Sequence, residues 1–353
     1  MQTQEQENVQ VLENMPFEFR GNSLDYFKIW FVNVMLTIVT LGIYGPWAKV
    51  RNNHYIYGNT YLGDHSFEYT ANPFRILIGR LIVVSFYVFY FVASQLGFWL
   101  AAGILFVAFL LLLPLLIRQA LVFRAKYTRF HGLSFRYTAS VGEFYGFFLL
   151  HTFLNIITFF IIFPYTHSCF KKLVINNTHY GDSSFFFNGA AGEFFFIYYI
   201  KMMLLNMLIF FVIGLLSAVA AGFLGLDLGH GDSIVSFIIV LYVLMVLASP
   251  AFRGAFDAWI GRAVYNETSI KEYRMLNEWH ALKLGWIYFG NFFAILFSLG
   301  LLYPWAKIRT IRYKLENTGF ESLDLNAFVG QAEQNRNAIG EEAADFFDFD
   351  IGF

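Results

Sequence analysis

The stretch Thr40-Leu41-Gly42-Ile43-Tyr44-Gly45-Pro46-Trp47-Ala48-Lys49-Val50-Arg51 carries the plan of the whole chain. An apolar run, residues 29–46, reaches a proline, and a short basic amphipathic stretch follows. Proline removes a backbone donor and clashes with the preceding turn, so the run reads as a membrane helix that stops there. Tyr44 and Trp47 beside it suit the bilayer interface. Further on come Asn59-Thr60, the turn residues Gly63-Asp64, and Ser66-Phe67-Glu68-Tyr69-Thr70-Ala71. Turn residues between alternating apolar runs predict a β-hairpin.

The pattern recurs. Other apolar segments end at Pro114, Pro164, Pro250 and Pro304. Ser134-Phe135-Arg136-Tyr137-Thr138-Ala139 and Ser184-Phe185-Phe186-Phe187-Asn188-Gly189 stand at the same distance from Pro114 and Pro164 as Ser66–Ala71 from Pro46. The pair Asn-Thr returns as Asn177-Thr178 and Asn317-Thr318, and the basic stretch as Trp305-Ala306-Lys307-Ile308-Arg309. The unit after Pro250 fits less well, with an apparent insertion of about two residues before Tyr273. Repetition at this scale is the first feature to read in any chain.

Composition gives the solvent. Of 353 residues, 58% are hydrophobic and only 14% charged, against about 25% charged in a soluble domain. Seven apolar runs, 29–46, 76–94, 97–117, 144–164, 194–226, 234–251 and 284–304, approach the roughly 20 residues that a bilayer span needs. A net charge of −1 argues against nucleic acid as a partner. The single cysteine, Cys169, rules out an intrachain disulfide framework and any multi-cysteine metal site. Residues 1–16 are polar with no apolar leader region, so the first apolar segment is expected to serve as an uncleaved anchor. The expected fold class is therefore an all-α polytopic membrane protein. It has about seven hydrophobic segments in repeated units, with short membrane-proximal β-hairpins. The expected domains are a polar tail 1–16, a repeated membrane domain 17–325 and an acidic, aromatic tail 326–353.

Sidedness is open between two plans. Neither short connector, 95–97 or 226–233, holds a Lys or Arg, whereas every long connector holds several. The positive-inside rule puts all the long connectors in the cytoplasm, and segments one, four and seven then enter and leave on one side. If those segments cross once instead, the two halves become inverted repeats, a plan common among transporters.

The strings Phe17-Glu18-Phe19-Arg20-Gly21 and residues 34–48, with their near-copy Leu299-Gly300-Leu301-Leu302-Tyr303-Pro304-Trp305, resemble the YjgN-like family of bacterial inner-membrane proteins. The resemblance covers residues 17 to about 325 and departs most between Tyr265 and Leu276. It implies a multi-pass protein of the bacterial inner membrane and supplies no catalytic residues, the family having no established activity.

Candidate site residues fall into two sets. Asn33, His151 and Asn291 stand at matched positions before Pro46, Pro164 and Pro304, and Asn155 lies one turn from His151. They could line a shared pathway, or serve as hydrogen-bonding glue between helices. Asp25, Glu143, Glu193 and Lys283, with Arg75, stand at segment entrances, either setting helix depth or responding to ions at a pathway mouth. Lys201 and Arg80 read as snorkelling side chains. Asp227, His230 and Asp232 could hold a cation in a connector, although a solvated turn explains them as well. No enzyme signature is present, so neither catalytic activity nor a cofactor or metal is expected. Two functions remain open: transport or a channel for a small solute, and a membrane-embedded scaffold that binds lipid or a partner. The expected partners are the bilayer, anionic lipid head groups on the basic connectors, and the chain's own C-terminus. Residues 341–353 mix acids with Phe and could dock back on Lys307, Arg309, Arg312, Lys314 and the basic stretch 124–136.

Overall fold

The computed structural model describes residues 13–223 and 231–322. Asp227 and His230 of the expected cation-binding connector, the N-terminal tail up to residue 12 and the docking C-terminal tail lie outside the described residues.

Five strand–helix–helix–strand units follow one another. The first is β1 (Glu13–Phe19), α1 (Ser23–Val39), α2 (Gly45–Gly58) and β2 (Thr60–Leu62), and the second is β3 (His65–Tyr69), α3 (Pro73–Gln95), α4 (Trp99–Tyr127) and β4 (Thr128–Phe130). The third is β5 (Leu133–Tyr137), α5 (Val141–Ile157), α6 (Phe163–Asn176) and β6 (Thr178–Tyr180). The fourth opens with β7 (Ser183–Phe187) and α7 (Ala191–Phe195). It runs through a π-helical turn, Phe196–Lys201, into α8 (Met202–Phe223), then α9 (Gly231–Tyr265) and β8 (Thr268–Ile270). The fifth is β9 (Tyr273–Asn277), α10 (Ala281–Phe297), α11 (Tyr303–Glu316) and β10 (Thr318–Ser322).

The strands do not stand as separate hairpins. All ten pair antiparallel into one closed barrel, sealed where β1 meets β10 with Met15 opposite Phe320 and Pro16 opposite Gly319. Two-residue turns join the units, and His131 and Gly132 (φ 47° and 78°) show the left-handed backbone that such turns need. The Phe markers point into the barrel. Phe67, Phe135 and Phe185 pack with Phe17, Leu62, Phe130, Leu133, Tyr180 and Ile270 as an apolar plug. Around it, each unit buries one residue of its first helix under the preceding strand: Tyr26, Ile76, Phe144, Phe194 and Leu284 are all 0–2% exposed.

These findings overturn the expectation of an all-α chain with about seven membrane segments. Among the described residues, four helices are long and apolar enough to cross a membrane: Pro73–Gln95, Trp99–Tyr127, Ala191–Val219 and Leu241–Tyr265. They form the two long hairpins of units two and four. Segments one, four and seven are each a 17-residue helix that stops in a tight turn. The turn is a Schellman motif, with Gly42 N–H donating to Thr37 O (2.7 Å), Phe160 to Asn155 O (2.7 Å) and Gly300 to Ile295 O (2.8 Å). Leu41, Phe159 and Leu299 take a left-handed residue of that turn without being glycine, and in two of the three a glycine at φ 92°, Gly42 or Gly300, follows. These three tip residues are 86–94% exposed, an arrangement that suits apolar loops dipping into lipid.

The prolines also change meaning. Pro46, Pro164 and Pro304 open the second helix, at the position where a missing N–H costs nothing, rather than ending the first. Pro114 and Pro250 lie inside α4 and α9. The misfit of the fourth unit is one extra helical turn between Pro250 and β8, within α9, and not two residues before Tyr273.

Closure fixes topology. Each helical hairpin joins two neighbouring strands, so all five leave and re-enter the barrel on one rim, and the inverted-repeat plan is ruled out. Cysteines placed at Asp64, His131 and Asp182 in a Cys169→Ser background are expected to label together with an impermeant reagent in inverted vesicles, and Gly97→Cys to label only in intact spheroplasts. Labelling of position 182 from the side opposite 64 would break the closed-barrel topology.

Candidate functional site

Where the second helices run down into the barrel, five threonines recur: Thr60, Thr128, Thr178, Thr268 and Thr318. Each hydroxyl donates to the carbonyl four residues back (Ile56, Arg124, Val174, Val264 and Lys314) at 2.7–2.8 Å. That bond satisfies a last-turn carbonyl of the helix as the backbone turns into a strand. The threonines ring the floor of a central chamber of about 950 Å³. The barrel plug lies beneath it, and the inner faces of α2, α4, α6, α9 and α11 form its walls.

The backbone is nearly fivefold, but the charge is not. Unit one gives the chamber Ile56 and Tyr57, whereas the others contribute Arg124, His167, Lys171, Arg253, Asp257 and Lys314. Asp257 is the hub. Its Oδ1 takes Arg253 Nε at 3.1 Å, and its Oδ2 takes Lys314 Nζ at 3.3 Å and the Tyr288 hydroxyl at 2.8 Å. Lys314 also sits 4.9 Å over the Trp279 ring. Burial, and then the neighbouring Arg124, push Lys171 below the usual lysine range, with Asp257 pulling the other way. His167 is pushed down to about 4, mainly by burial and then by Lys171. It is therefore neutral at pH 7, with Nδ1 3.0 Å from the Tyr198 hydroxyl. The chamber thus holds four cations and one carboxylate.

None of the candidate site residues lines this chamber, although Arg124 and Lys314 of the expected docking surface do. Asn33 Nδ2 donates to Asn52 at 3.0 Å, holding α1 to α2. Asn291 Nδ2 donates to Thr310 at 2.8 Å and to Ala306 O at 3.1 Å, holding α10 to α11. Asn155 Nδ2 reaches Thr166 at 2.7 Å, joining α5 to α6. His151 Nδ1 lies 2.9 Å from Phe147 O, its ring stacked on Phe147. Each bond stays inside one hairpin, so matched depth does not bring these residues together. Asp25, Arg75, Glu143, Glu193 and Lys283 are all third residues of a first helix. Glu143 closes a capping box with Ser140, Asp25 bonds the Asn22 cap, Glu193 pairs with Lys201 at 2.7 Å, and Lys283 lies 5.0 Å over Tyr313.

Sequence reasoning assigned none of these residues to a site and read Arg124 and Lys314 only as a docking surface, although a signal exists. Counted back from the threonine of their own unit, Arg124 and Lys314 stand at four, Lys171 at seven, and His167 and Asp257 at eleven. Four, seven and eleven fall on one helical face.

Two outcomes test this geometry. Asp257→Asn leaves the half-buried Lys314 and the exposed Arg253 without their counter-ion, and a stability loss of about 1 kcal/mol is expected. Adding Lys314→Met should recover part of it, as read by thermal melts of the purified protein. For His167 the folded pKa lies below the unfolded one, so the unfolded chain binds more protons between about 4 and 6.5. Stability should therefore fall as pH drops through that window, and His167→Gln should flatten the fall.

Comparison with known proteins agrees with this picture. Residues 14–346 match the family described as "Bacterial protein of unknown function (DUF898)". The inner membrane protein YjgN of Escherichia coli strain K12 is 32% identical over 129 residues, 36% of this chain and 32% of that protein. YjgN of Salmonella typhimurium is 32% identical over 128 residues, with the same coverage. The aligned part thus spans about a third of the length of these relatives. No solved structure matches. Inner-membrane relatives and four helices of spanning length place this chain in the bacterial inner membrane. With the family matched from its first barrel strand to beyond its last, the chain belongs to the DUF898 proteins.

Proposed function

We propose that this protein is a membrane-embedded binding protein whose central chamber holds a small amphiphilic ligand at the membrane–water boundary. The chamber itself carries the reading. It is large enough for a ligand, its floor is filled by the barrel plug, and its walls continue into hairpins with exposed apolar flanks. A ligand with a polar head and an apolar body matches such a gradient. The cationic side chains on its walls and the apolar residues between them supply the binding surface, so no covalent chemistry is required of the site. Transport of a small solute draws its support from the repeat, but the aromatic plug counts against an axial path through the barrel.

Ala125 lines the chamber, and Ala125→Phe would fill part of it while leaving the charges unchanged. Native mass spectrometry of the wild type is expected to show a retained lipid or other amphiphile, and the Ala125→Phe variant is expected to lose it. The same adduct at the same occupancy in both proteins would refute a chamber-bound ligand.

A further inference from the structure

Charge allocation inside the chamber points to a ligand class. Asp257 is the carboxylate lining it, and both of its oxygens are engaged by Arg253, Lys314 and Tyr288. The acidic residues of the neighbouring first helices are committed elsewhere, Glu143 to the cap of α5 and Glu193 to Lys201. Arg124 and Lys171 therefore face the same chamber from α4 and α6 with no carboxylate of the described residues in contact. The partly buried Lys171 feels Arg124 as a like charge across the chamber, and an anion between them removes that cost.

The structure assigns this corner, Arg124 with Lys171, to a phosphate monoester or phosphate dianion. The assignment rests on the chamber-binding reading and names the head group. Three features favour phosphate over a carboxylate. The lining carries four cations against one carboxylate, with His167 neutral, so a dianion leaves less uncompensated charge than a monoanion. A guanidinium fork and an ammonium facing one chamber match tetrahedral oxygens that accept from two directions. The threonine hydroxyls below are already spent on helix carbonyls, so the two cations are the donors available at that height. The apolar lining beside that corner, Leu121 and Val174 on the same two helices and Phe256 on α9, accommodates the body of a molecule carrying that phosphate. The same chemistry is met by a phosphomonoester lipid and by free phosphate.

The test uses the full chain in neutral detergent and four probes: dioctanoyl phosphatidic acid, dioctanoyl phosphatidylglycerol, dioctanoylglycerol and inorganic phosphate. Wild type is expected to bind the phosphatidic acid about tenfold or more tighter than the neutral diacylglycerol, a difference of the size that charge-assisted hydrogen bonds supply. Lys171→Met and Arg124→Met should each lose most of that preference and still bind dioctanoylglycerol as wild type does. Lys171→Arg, which keeps the charge, should retain the preference and guards against a misfolded Met variant. Competition by millimolar phosphate assigns the ligand to the soluble pool, and lack of competition assigns it to the membrane. Equal binding of phosphatidic acid and diacylglycerol by wild type, or a preference that survives both Met substitutions, overturns the phosphate assignment and leaves the chamber reading intact. Phosphate binding at Arg124 and Lys171 with no amphiphile bound would do the reverse.

Discussion

The closed barrel is the constraint on which everything else in this protein depends. Its strands are three to seven residues long, and a hairpin of that size is barely stable in water. Joined in a ring, the same strands lose their edges, and their inward side chains share one apolar plug. The ring closes only when β1 and β10, from opposite ends of the described chain, find each other. No unit holds its own hairpin without its neighbours, so the five units form one cooperative body.

Closure dictates the membrane arrangement as well. A helical hairpin that connects two paired antiparallel strands must start and finish on the same rim. Five hairpins around one rim form a crown, with their second helices continuing directly into strands. Hairpin length is then free to vary without disturbing the ring. Units two and four have helices of spanning length, while units one, three and five stop at apolar tips. The extra turn of α9 fits the same rule, since a whole turn lengthens a helix and keeps its inward face inward.

The crown also explains why matched polar residues do not meet. Equal depth in a repeated helix gives equal height around a ring and says nothing about facing its axis. Asn33, Asn155 and Asn291 point at the second helix of their own hairpin and tie the pair together. The axis is faced by the second helices, whose inner residues differ from unit to unit. That divergence places Arg124, Lys171, Arg253, Asp257 and Lys314 around one chamber and leaves unit one without charge there. A fivefold backbone with unequal lining is how a repeat protein builds a directional site.

By itself the sequence determined the repeat, the apolar solvent, the two long hairpins and the β-turns. Each of these is written in local periodicity, in composition or in turn residues such as Gly63-Asp64 and Gly181-Asp182. It also marked the helix-to-strand junction at Asn59-Thr60, Asn177-Thr178 and Asn317-Thr318, where the asparagine ends the helix and the threonine begins the strand. Only the tertiary structure decided that the strands close, that three apolar runs fold back on themselves, and which helical face looks inward. Strands of three residues are too short to show which neighbour they pair with. Schellman turns at Leu41, Phe159 and Leu299 use apolar residues that a helix would use equally well. A chamber is a property of five helices at once, and the spacing from each threonine gains meaning only when the ring sets all five on one axis.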